Sequence, residues 1–430
     1  MVKQTAKFSF MEEWKEYQLK DVTTILGDGL HGTPKYDENG TVFFINGNNL
    51  VDGKIEIKDS TKRVSEYEAN KYRKNLTPRT ILVSINGTIG NVAKYKGEAC
   101  ILGKSACYFN VADNFDLNFI YYVIASQQFK DTITHLATGT TIKNVSLETM
   151  RNYSFMAPSI NEQKRISSIL SSFDDKIELN RRINDNLEQQ AQALFKAWFV
   201  DFEPFKDGEF VDDDFGRRPY GWNVKPLKYL VEKVKSGDWG KDEQMGNHTM
   251  RTFCMRGADF PDIKEGSKGK MPIRYILEKN FREKTLCDGN VVVEISGGSP
   301  TQSTGRIVLI DKTFIADCDN ALICTNFCKS LEIKESFSLF FYLLWQYLYD
   351  KKVMFIYENG SNGLKNLNIN SLLERELFVI PPKEIISRFN LVVSLLLSKK
   401  QANGIEISRL ASLRDTLLPK LMSGNMSFDY

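Results

Sequence analysis

The sequence predicts an α+β protein with two pseudo-two-fold-related mixed α/β domains, separated by a long antiparallel coiled coil of two helices. Three observations support this fold class. The two halves of the chain repeat the same order of motifs. Each half contains short β-rich runs separated by Gly, Asn and Asp turns. Each half then ends in a long stretch with sustained heptad-like spacing.

The internal repeat is long. Trp14 returns as Trp222, 208 residues later, and the aromatic run at 119–124 returns at 340–345, 221 residues later. From Ala157 onward the separation settles at 223 residues. A period of this size is too long for a solenoid or propeller repeat, so it indicates duplication of a whole domain together with a helix. Because the order of motifs matches while the residues between them differ, the sequence suggests two versions of one module that read two different targets.

The composition is that of a globular protein, with 42% hydrophobic residues, 26% charged residues and a net charge of +3. Neither a run of 18 apolar residues nor the apolar core of a secretory signal is found, so we expect a cytoplasmic protein without a membrane partner. The seven cysteines form no C-x-x-C pair and lie far in sequence from the three histidines, which argues against a zinc site. No basic tail dominates, so a DNA-binding face would have to be assembled by folding.

Each mixed segment is expected to follow the same plan. Its β-rich runs, such as those at 80–85 and 290–296, precede one amphipathic helix, which we place at roughly 117–137 in the first half and 338–358 in the second. A glycine-bearing loop and another short strand come next. Proline then precedes the long helix, at Pro158 in the first half and at Pro381-Pro382 in the second.

The two long helices are the best-defined elements. In residues 160–199 and 383–422 the core positions recur in steps of four and three, at a constant separation of 223 residues. Such spacing over more than four heptads predicts a coiled coil, whereas the alternative is that each helix packs only on its own domain. Between the halves, the segment 202–222 contains three consecutive aspartates at 212–214, which we interpret as a solvated linker rather than a metal site.

Two asparagines, Asn180 and Asn403, occupy equivalent core positions near the middle of these helices. In an antiparallel pair of equivalent helices, equivalent residues meet only at the symmetry axis, so we predict that Asn180 faces Asn403. A paired buried asparagine sets the helix register at some cost in stability. The dipeptide Asn403-Gly404 is also a turn signal, and a bend in the second helix is the alternative.

Several motifs together resemble the specificity subunit of type I DNA restriction-modification enzymes. They are LFKAWFVDFEPF at 194–205, LRDTLLPKLMSGNM at 413–426, PYGW at 219–222 and TGTTIKNVSLETMRNYSFMAP at 138–158. The resemblance covers essentially the whole chain, in the correct order. It implies two target-recognition domains at 1–158 and 222–381, a first conserved helix at 159–200, a linker at 201–221, and a second conserved helix with a C-terminal tail at 382–430.

This resemblance implies a non-catalytic subunit that reads double-stranded DNA, with one half-site per recognition domain and a spacer set by the coiled coil. The expected partners are two methylation subunits and two restriction subunits. Those partners would bind S-adenosylmethionine, ATP and magnesium, so we expect no cofactor, catalytic residue or metal site in this chain. Two alternatives stay open. One is an orphan or methylation-only adaptor, and the other is a scaffold whose mixed domains bind protein without reading DNA.

The residues themselves agree with a non-catalytic role. An amino-methyltransferase needs a [DNS]-P-P-[FYW] tetrapeptide, but no acidic or amide residue precedes the one Pro-Pro pair, Pro381-Pro382. The segment GEACILGKS at 97–105 resembles a P-loop, yet five residues rather than four separate its glycines, so we interpret it as part of a strand. The three histidines form no grouping with serine and aspartate that would indicate nucleophilic catalysis.

Polar residues in loops are the candidates for DNA contact. Base reading needs Arg, Lys, Asn or Gln at groove edges, and Lys or Arg also contacts phosphates. The loops at 31–36, 84–91, 138–144, 296–306 and 359–366 supply Lys35, Asn86, Asn91, Lys143, Asn144, Gln302, Arg306, Lys365 and Asn366. The alternative for the glycine-rich loops is an ordinary hairpin turn. For the two Lys-Asn pairs it is a helix N-cap beside a solvated lysine.

Three aromatic residues, Trp198, Phe199 and Phe202, follow the end of the first long helix. We expect them to lie against another protein surface, either the second recognition domain or a methylation subunit. The resemblance favours a contact with the methylation subunit near the conserved helices. Packing within this chain is the alternative.

Overall fold

The computed structural model describes residues 14–139, 143–299, 302–360 and 365–422. The chain divides into two compact units, one formed by Met1–Asp175 with Leu410–Tyr430 and the other by Lys176–Arg409. Both boundaries between the units fall inside the long helices rather than at the ends of the mixed segments. Within the described part of the chain, no helix combines the length and apolarity needed to cross a membrane.

The first unit contains eleven strands and four short helices among its described residues. The strands are β1 (Lys15–Gln18), β2 (Thr23–Asp28), β3 (Val42–Ile45), β4 (Leu50–Val51), β5 (Lys54–Ile55), β6 (Arg63–Val64), β7 (Thr80–Ser84), β8 (Val92–Lys94), β9 (Cys100–Leu102), β10 (Ala106–Val111) and β11 (Ser154–Ala157). The helices are α1 (Glu66–Tyr72), α2 (Leu117–Ala125), α3 (Gln127–His135) and α4 (Leu147–Arg151). The long helix α5 (Ile160–Phe199) follows and continues into the second unit.

The second unit repeats this order of elements with additions. Its strands are β12 (Phe210–Asp213), β13 (Gly216–Pro219), β14 (Asn223–Pro226), β15 (Val231–Ser236), β16 (His248–Met255), β17 (Ile273–Leu277), β18 (Val291–Glu294), β19 (Ser296–Gly297), β20 (Ile307–Leu309), β21 (Leu322–Cys324), β22 (Cys328–Ile333), β23 (Glu358–Asn359), β24 (Lys365–Leu367) and β25 (Leu377–Ile380). Its helices are α6 (Phe260–Lys264), α7 (Glu278–Lys284), α8 (Lys312–Asp317), α9 (Ser338–Asp350) and α10 (Ile369–Arg375), before the long helix α11 (Lys383–Met422).

The two units have the same sheet topology. A four-stranded antiparallel sheet has the order β2-β10-β7-β8 in the first unit and β15-β22-β18-β20 in the second. A smaller sheet with one parallel pair recurs as β6-β3-β9 and β17-β16-β21. The first strand of each domain pairs with the strand before the long helix, β1 with β11 and β14 with β25. The predicted class of two mixed domains with long helices is confirmed.

The central strands of the large sheets are buried on both faces. In the first unit, Val83 and Phe109 pack in the cluster that includes α2, whereas Leu82 and Tyr108 pack in the cluster that includes the small sheet. A strand covered on both faces is hydrophobic throughout rather than alternating. This explains why the sequence shows continuous apolar runs at these positions.

The prediction of one amphipathic helix per domain was wrong in its length. At 117–137 the structure has two helices, because Ser126 ends α2 and caps α3, with its Oγ accepting a hydrogen bond from the N–H of Phe129 at 3.2 Å. In the second unit α9 ends at Asp350. Lys352 then adopts a left-handed φ of 61°, and a short 3-10 turn follows over Val353–Tyr357.

The segment predicted as a linker contains the hairpin formed by β12 and β13. Arg218 donates two hydrogen bonds to the carboxylate of Asp213, at 2.5 and 2.7 Å. The Arg218 guanidinium lowers the pKa of Asp213 to about 2. One aspartate of the acidic run therefore closes a hairpin.

Inside the second unit the two long helices run antiparallel. Asn180 Nδ2 donates to Glu406 Oε2 at 2.9 Å, and Asn403 Nδ2 donates to Asn184 Oδ1 at 3.0 Å. The partner of Asn403 is thus Asn184, one helical turn beyond the predicted Asn180. Asn180, Asn184 and Asn403 are all buried. A buried amide without a partner is costly, and the observed register gives partners to Asn180 and Asn403. Among the described residues, Asn184 Nδ2 has no hydrogen-bond partner.

A largely buried ion pair joins the same helices to the mixed domain. Lys400 Nζ donates to Glu188 Oε2 at 2.9 Å, and Gln346 and Tyr342 of α9 donate to Glu188 Oε1 at 2.7 and 3.2 Å. Burial alone would raise the pKa of Glu188, but the Lys400 ammonium and these hydrogen bonds hold it below its ordinary value. The carboxylate therefore stays charged, and the network ties α9 to both long helices.

Lys400→Met should destabilise the chain because it leaves the Glu188 carboxylate buried without its cation. Loss of one partner of a buried ion pair costs roughly 3–5 kcal/mol, and we expect a value near the lower end because Gln346 still donates to Glu188. Urea denaturation measures this cost. The cost should shrink as the pH is lowered below neutral, since burial without Lys400 raises the pKa of Glu188 and protonation then removes the buried charge.

The matched control is Arg182→Met, which breaks an exposed pair with Glu178 on the same helix. Exposed pairs of this kind contribute about 0–1 kcal/mol. Equal losses in the two variants would contradict a special role for the buried pair.

Candidate nucleic-acid interface

Four chain segments meet at one end of the large sheet in the first unit. They are the loop after β2, the turn after β7, the turn between β9 and β10, and the segment before α4. His31, Asn86, Lys104 and Asn144 come from these four segments and line one open depression. His31, Lys104 and Asn144 are exposed, and Asn86 is half-buried. We call this group of segments the first loop cluster.

Backbone hydrogen bonds hold the first loop cluster together. The N–H of Leu30 donates to the carbonyl of Leu102 at 2.7 Å, and the N–H of Ile85 donates to Ser105 at 3.0 Å. The N–H of Val145 in turn donates to Ile85 at 2.8 Å. The exposed side chains therefore project from a backbone that is fixed by the sheet.

The second unit has the same three backbone bonds at the same end of its large sheet. Asp238 donates to Cys324 at 2.8 Å, Ile295 donates to Phe327 at 2.8 Å, and Leu367 donates to Ile295 at 2.8 Å. These segments form the second loop cluster. Each donor and acceptor occupies the position that its counterpart has in the first unit, so the two clusters share one backbone frame.

The side chains on the two frames differ. Position by position, His31 corresponds to Trp239, Asn86 to Ser296, Lys104-Ser105 to Asn326-Phe327, and Asn144 to Asn366. The first cluster presents an imidazole, an ammonium and two amides. The second presents exposed aromatic rings beside amides and a hydroxyl. Only one of the compared positions, an asparagine, carries the same side chain in both.

Among the predicted residues of the first unit, the structure brings Asn86 and Asn144 together through an antiparallel bridge, with the exposed Lys143 next to them. Asn91 lies at the base of the hairpin formed by β7 and β8, where its N–H donates to Ser84 Oγ at 2.9 Å. The backbone N–H of the exposed Lys35 donates to Glu68 in α1 at 2.9 Å. Residues 140–142 of the predicted loop lie outside the described residues.

Two residues of the second unit that were predicted to contact DNA, Arg306 and Lys365, form ion pairs with buried carboxylates. Arg306 donates from Nε and from its terminal nitrogen to both oxygens of Glu294, at 2.8 and 2.6 Å. Lys365 donates to Glu358 Oε2 at 2.9 Å. Burial alone would raise the pKa of Glu358, but hydrogen bonds from Lys365 and Thr304 hold it below its ordinary value. Arg306 and Lys365 therefore support the loop rather than extend from it.

The remaining predicted residues of the second unit are at the surface. Asn366 pairs with Ser296 in the small sheet β19-β24-β23, and Asn366 is exposed. Gln302 is also exposed, and its N–H donates to Ser299 Oγ at 3.0 Å. Residues 300–301 and 361–364 of the predicted loops lie outside the described residues.

The aromatic residues after the first long helix are core residues of the second unit. Phe199 is 1% exposed and packs edge-on against Phe340 and Phe389, with ring centroids 4.9 and 4.7 Å apart. Phe202 lies 5.7 Å from the ring of Trp222, and Trp198 also packs against Phe389. These contacts lie within the chain and are made with the second mixed domain, at Trp222 and Phe340, which was one of the two predicted surfaces. They leave Phe199 no exposed face for a methylation subunit.

Lys104, Trp239 and Phe327 were not among the predicted site residues. The duplication could have identified these positions from the sequence. A separation of 208 residues aligns His31 with Trp239, and a separation of 222 aligns Lys104 with Asn326. Lys104 belongs to the segment that resembles a P-loop. Its actual place is the turn between β9 and β10.

Comparisons with known proteins agree with this architecture. A family model described as the type I restriction modification DNA specificity domain matches residues 11–189. A putative type I specificity subunit of Mycoplasma pneumoniae is 34% identical over 287 residues, which cover 57% of this chain and 75% of that protein. The MjaIX specificity subunit, from a type I restriction enzyme of Methanocaldococcus jannaschii, is 26% identical over 96% of this chain and 94% of its own length.

A solved structure shares the fold. The crystal structure of a type I restriction-modification system S subunit from M. genitalium aligns with a TM-score of 0.53 at 20% identity, covering 99% of both chains. At this identity the likeness establishes the fold alone. The M. pneumoniae relative and the family model show that the chain belongs to the specificity subunits of type I restriction-modification systems.

Proposed function

We propose that this chain is a non-catalytic subunit that reads an asymmetric, bipartite DNA site, with one half-site for each unit. The observation that carries the proposal is the pair of loop clusters, which share their backbone hydrogen bonds and differ in their side chains. Two identical readers would favour a palindrome. Two different sets of side chains on one frame suit two different half-sites.

The chemistry of the first loop cluster suits the major groove. A lysine such as Lys104 pairs with guanine O6 and N7, and an asparagine such as Asn144 pairs with adenine N6 and N7. His31 Nε2 lies 2.6 Å from Asp28 Oδ2, a contact that orients the imidazole. Side chains held on a hydrogen-bonded backbone lose less conformational entropy on binding, which favours selective contacts.

The long helices are proposed to set the distance between the half-sites as a coiled coil. Each contains 40 residues, equivalent to about 60 Å of helix. Two modules on the same face of B-DNA lie about one turn, or roughly 34 Å, apart. A helical rod of this length is sufficient to carry modules at that separation.

The proposed partners supply the chemistry. Two methylation subunits would transfer the methyl group of S-adenosylmethionine to adenine, and two restriction subunits would use ATP and magnesium. Support for this assembly comes from the relatives, which are named as specificity subunits of type I enzymes. A methylation-only adaptor would have the same DNA-reading role without the restriction subunits.

The deciding experiment is genome-wide mapping of adenine methylation in a host with and without this gene. We expect one new asymmetric, bipartite motif when the gene is present with its methylation subunit. An unchanged methylome, together with no salt-dependent DNA binding by the reconstituted complex, would instead favour a protein-binding scaffold. A palindromic motif would contradict the assignment of different half-sites to the two units.

Asn144→Ala and Asn366→Ala form a matched pair, because the two asparagines occupy the same position on the two frames. We expect each variant to relax sequence preference at one base pair of one half-site only, and at opposite ends of the motif. A good bidentate contact contributes roughly 1–3 kcal/mol, so preference should fall about 5- to 150-fold. Methylation sequencing measures the change, and an effect of either variant on both half-sites would contradict the assignment.

Lys104→Ala and Arg306→Met should separate DNA contact from structural support. Lys104 is exposed, so its loss should change the free energy of unfolding by less than about 0.5 kcal/mol. Loss of a lysine contact to a phosphate should reduce the slope of the logarithm of the binding constant against the logarithm of salt concentration by about one. Arg306→Met leaves the Glu294 carboxylate buried and should destabilise the chain by roughly 3 kcal/mol. Equal unfolding free energies for these two variants would refute the distinction.

A further inference from the structure

Phe327 belongs to the second loop cluster and lies on a fixed backbone. Phe327 lies in the turn Thr325–Cys328, which is closed by a hydrogen bond from Cys328 N–H to the Thr325 carbonyl at 3.0 Å. Its own carbonyl accepts from Ile295 at 2.8 Å and from Ser296 at 3.3 Å. Ser296 is the residue that pairs with Asn366. The position of Phe327 beside the Lys-Asn segment is therefore set by the sheet.

The exposure of this ring is not required by the turn. Phe327 is 59% exposed. At the equivalent position of the first unit, Ser105 Oγ instead bonds inward, donating to Asn46 Oδ1 at 3.0 Å and accepting from Gly47 N–H at 2.9 Å. The same turn thus forms with a small inward-bonded side chain. The phenyl ring adds an apolar surface that its own domain does not bury.

A second exposed aromatic ring belongs to the same cluster. Trp239 is 40% exposed, and the guanidinium of Arg274 lies 4.1 Å from the centroid of its ring. Arg274 is buried and also donates to the Trp239 carbonyl at 2.8 Å. At the equivalent position the first unit has His31. The second cluster therefore differs from the first by two apolar rings at positions where the first has polar groups.

We propose that Phe327 reads a thymine in the half-site of the second unit, through contact between its ring and the C5 methyl group in the major groove. The inference rests on the proposed function. The thymine methyl is the apolar group that base edges present in that groove, and a phenylalanine ring is a suitable contact for it. Cytosine lacks the methyl, so this contact selects a T·A pair over a C·G pair without a hydrogen bond.

The test uses the full chain in complex with its methylation subunit and DNA containing the mapped motif. Each thymine of the second half-site is replaced in turn by deoxyuridine, which removes only the methyl group. At one position the wild-type complex should lose about fourfold in affinity, the value of one buried methyl group. Phe327→Ser should lose the same factor on thymine DNA and should bind thymine and deoxyuridine DNA equally.

Phe215→Ser is the matched control. Phe215 is 61% exposed in the turn of the β12–β13 hairpin, outside the loop cluster, and its variant should keep the full sensitivity to deoxyuridine. Wild-type binding that is indifferent to every such replacement, or a second half-site without thymine, would overturn the inference. So would a Phe327→Ser complex that keeps its sensitivity. Failure of the proposed function has a different signature, since the complex would then show no sequence-specific binding at all.

Discussion

The register between the two long helices is the constraint on which the second unit depends. Asn184, Asn403 and Lys400 are buried, and a buried polar side chain without a partner costs more free energy than the contact returns. The observed register satisfies Asn403 through Asn184 and Lys400 through Glu188. A shift by one helical turn would break both contacts, so the helices have little freedom to slide.

The same register explains why the predicted asparagine contact is displaced. The repeat converts the pair Asn184–Asn403 into Asn180–Ile407, since each long-helix residue has its equivalent 223 positions later. The hydrogen bond of Asn180 to Glu406, the neighbour of Ile407, fits this arrangement. The helix midpoints could be predicted from the spacing, but the pairing across them is decided by long side chains whose partners come from the opposite helix.

The elements of the fold that could be predicted from the sequence are those whose residues follow a repeating pattern. Heptad spacing located both long helices, and β-rich runs repeated in the two halves located strands such as β7 and β18. Pairing between distant side chains has no period, and for this reason the ion pair of Arg306 with Glu294 could not be predicted. Similarly, the sequence predicted two possible surfaces for Phe199, and it could not show that the ring packs against Phe340. In both cases the missing information was which side chain lies opposite.

The duplication also separates the shared backbone frame from the side chains that are proposed to read DNA. The backbone bonds recur whether or not the residues match. Ile85 and Ile295 are identical and donate the equivalent hydrogen bond at 3.0 and 2.8 Å, whereas Leu30 corresponds to Asp238 and the bond is still present. Positions with exposed side chains, such as Lys104 and its counterpart Asn326, differ. Two different sets of side chains are thus carried on the same bonded frame, which fits the proposal that exposed positions determine the target. The asymmetry of the proposed site then follows from divergence of side chains on a common scaffold, and no change of topology is needed.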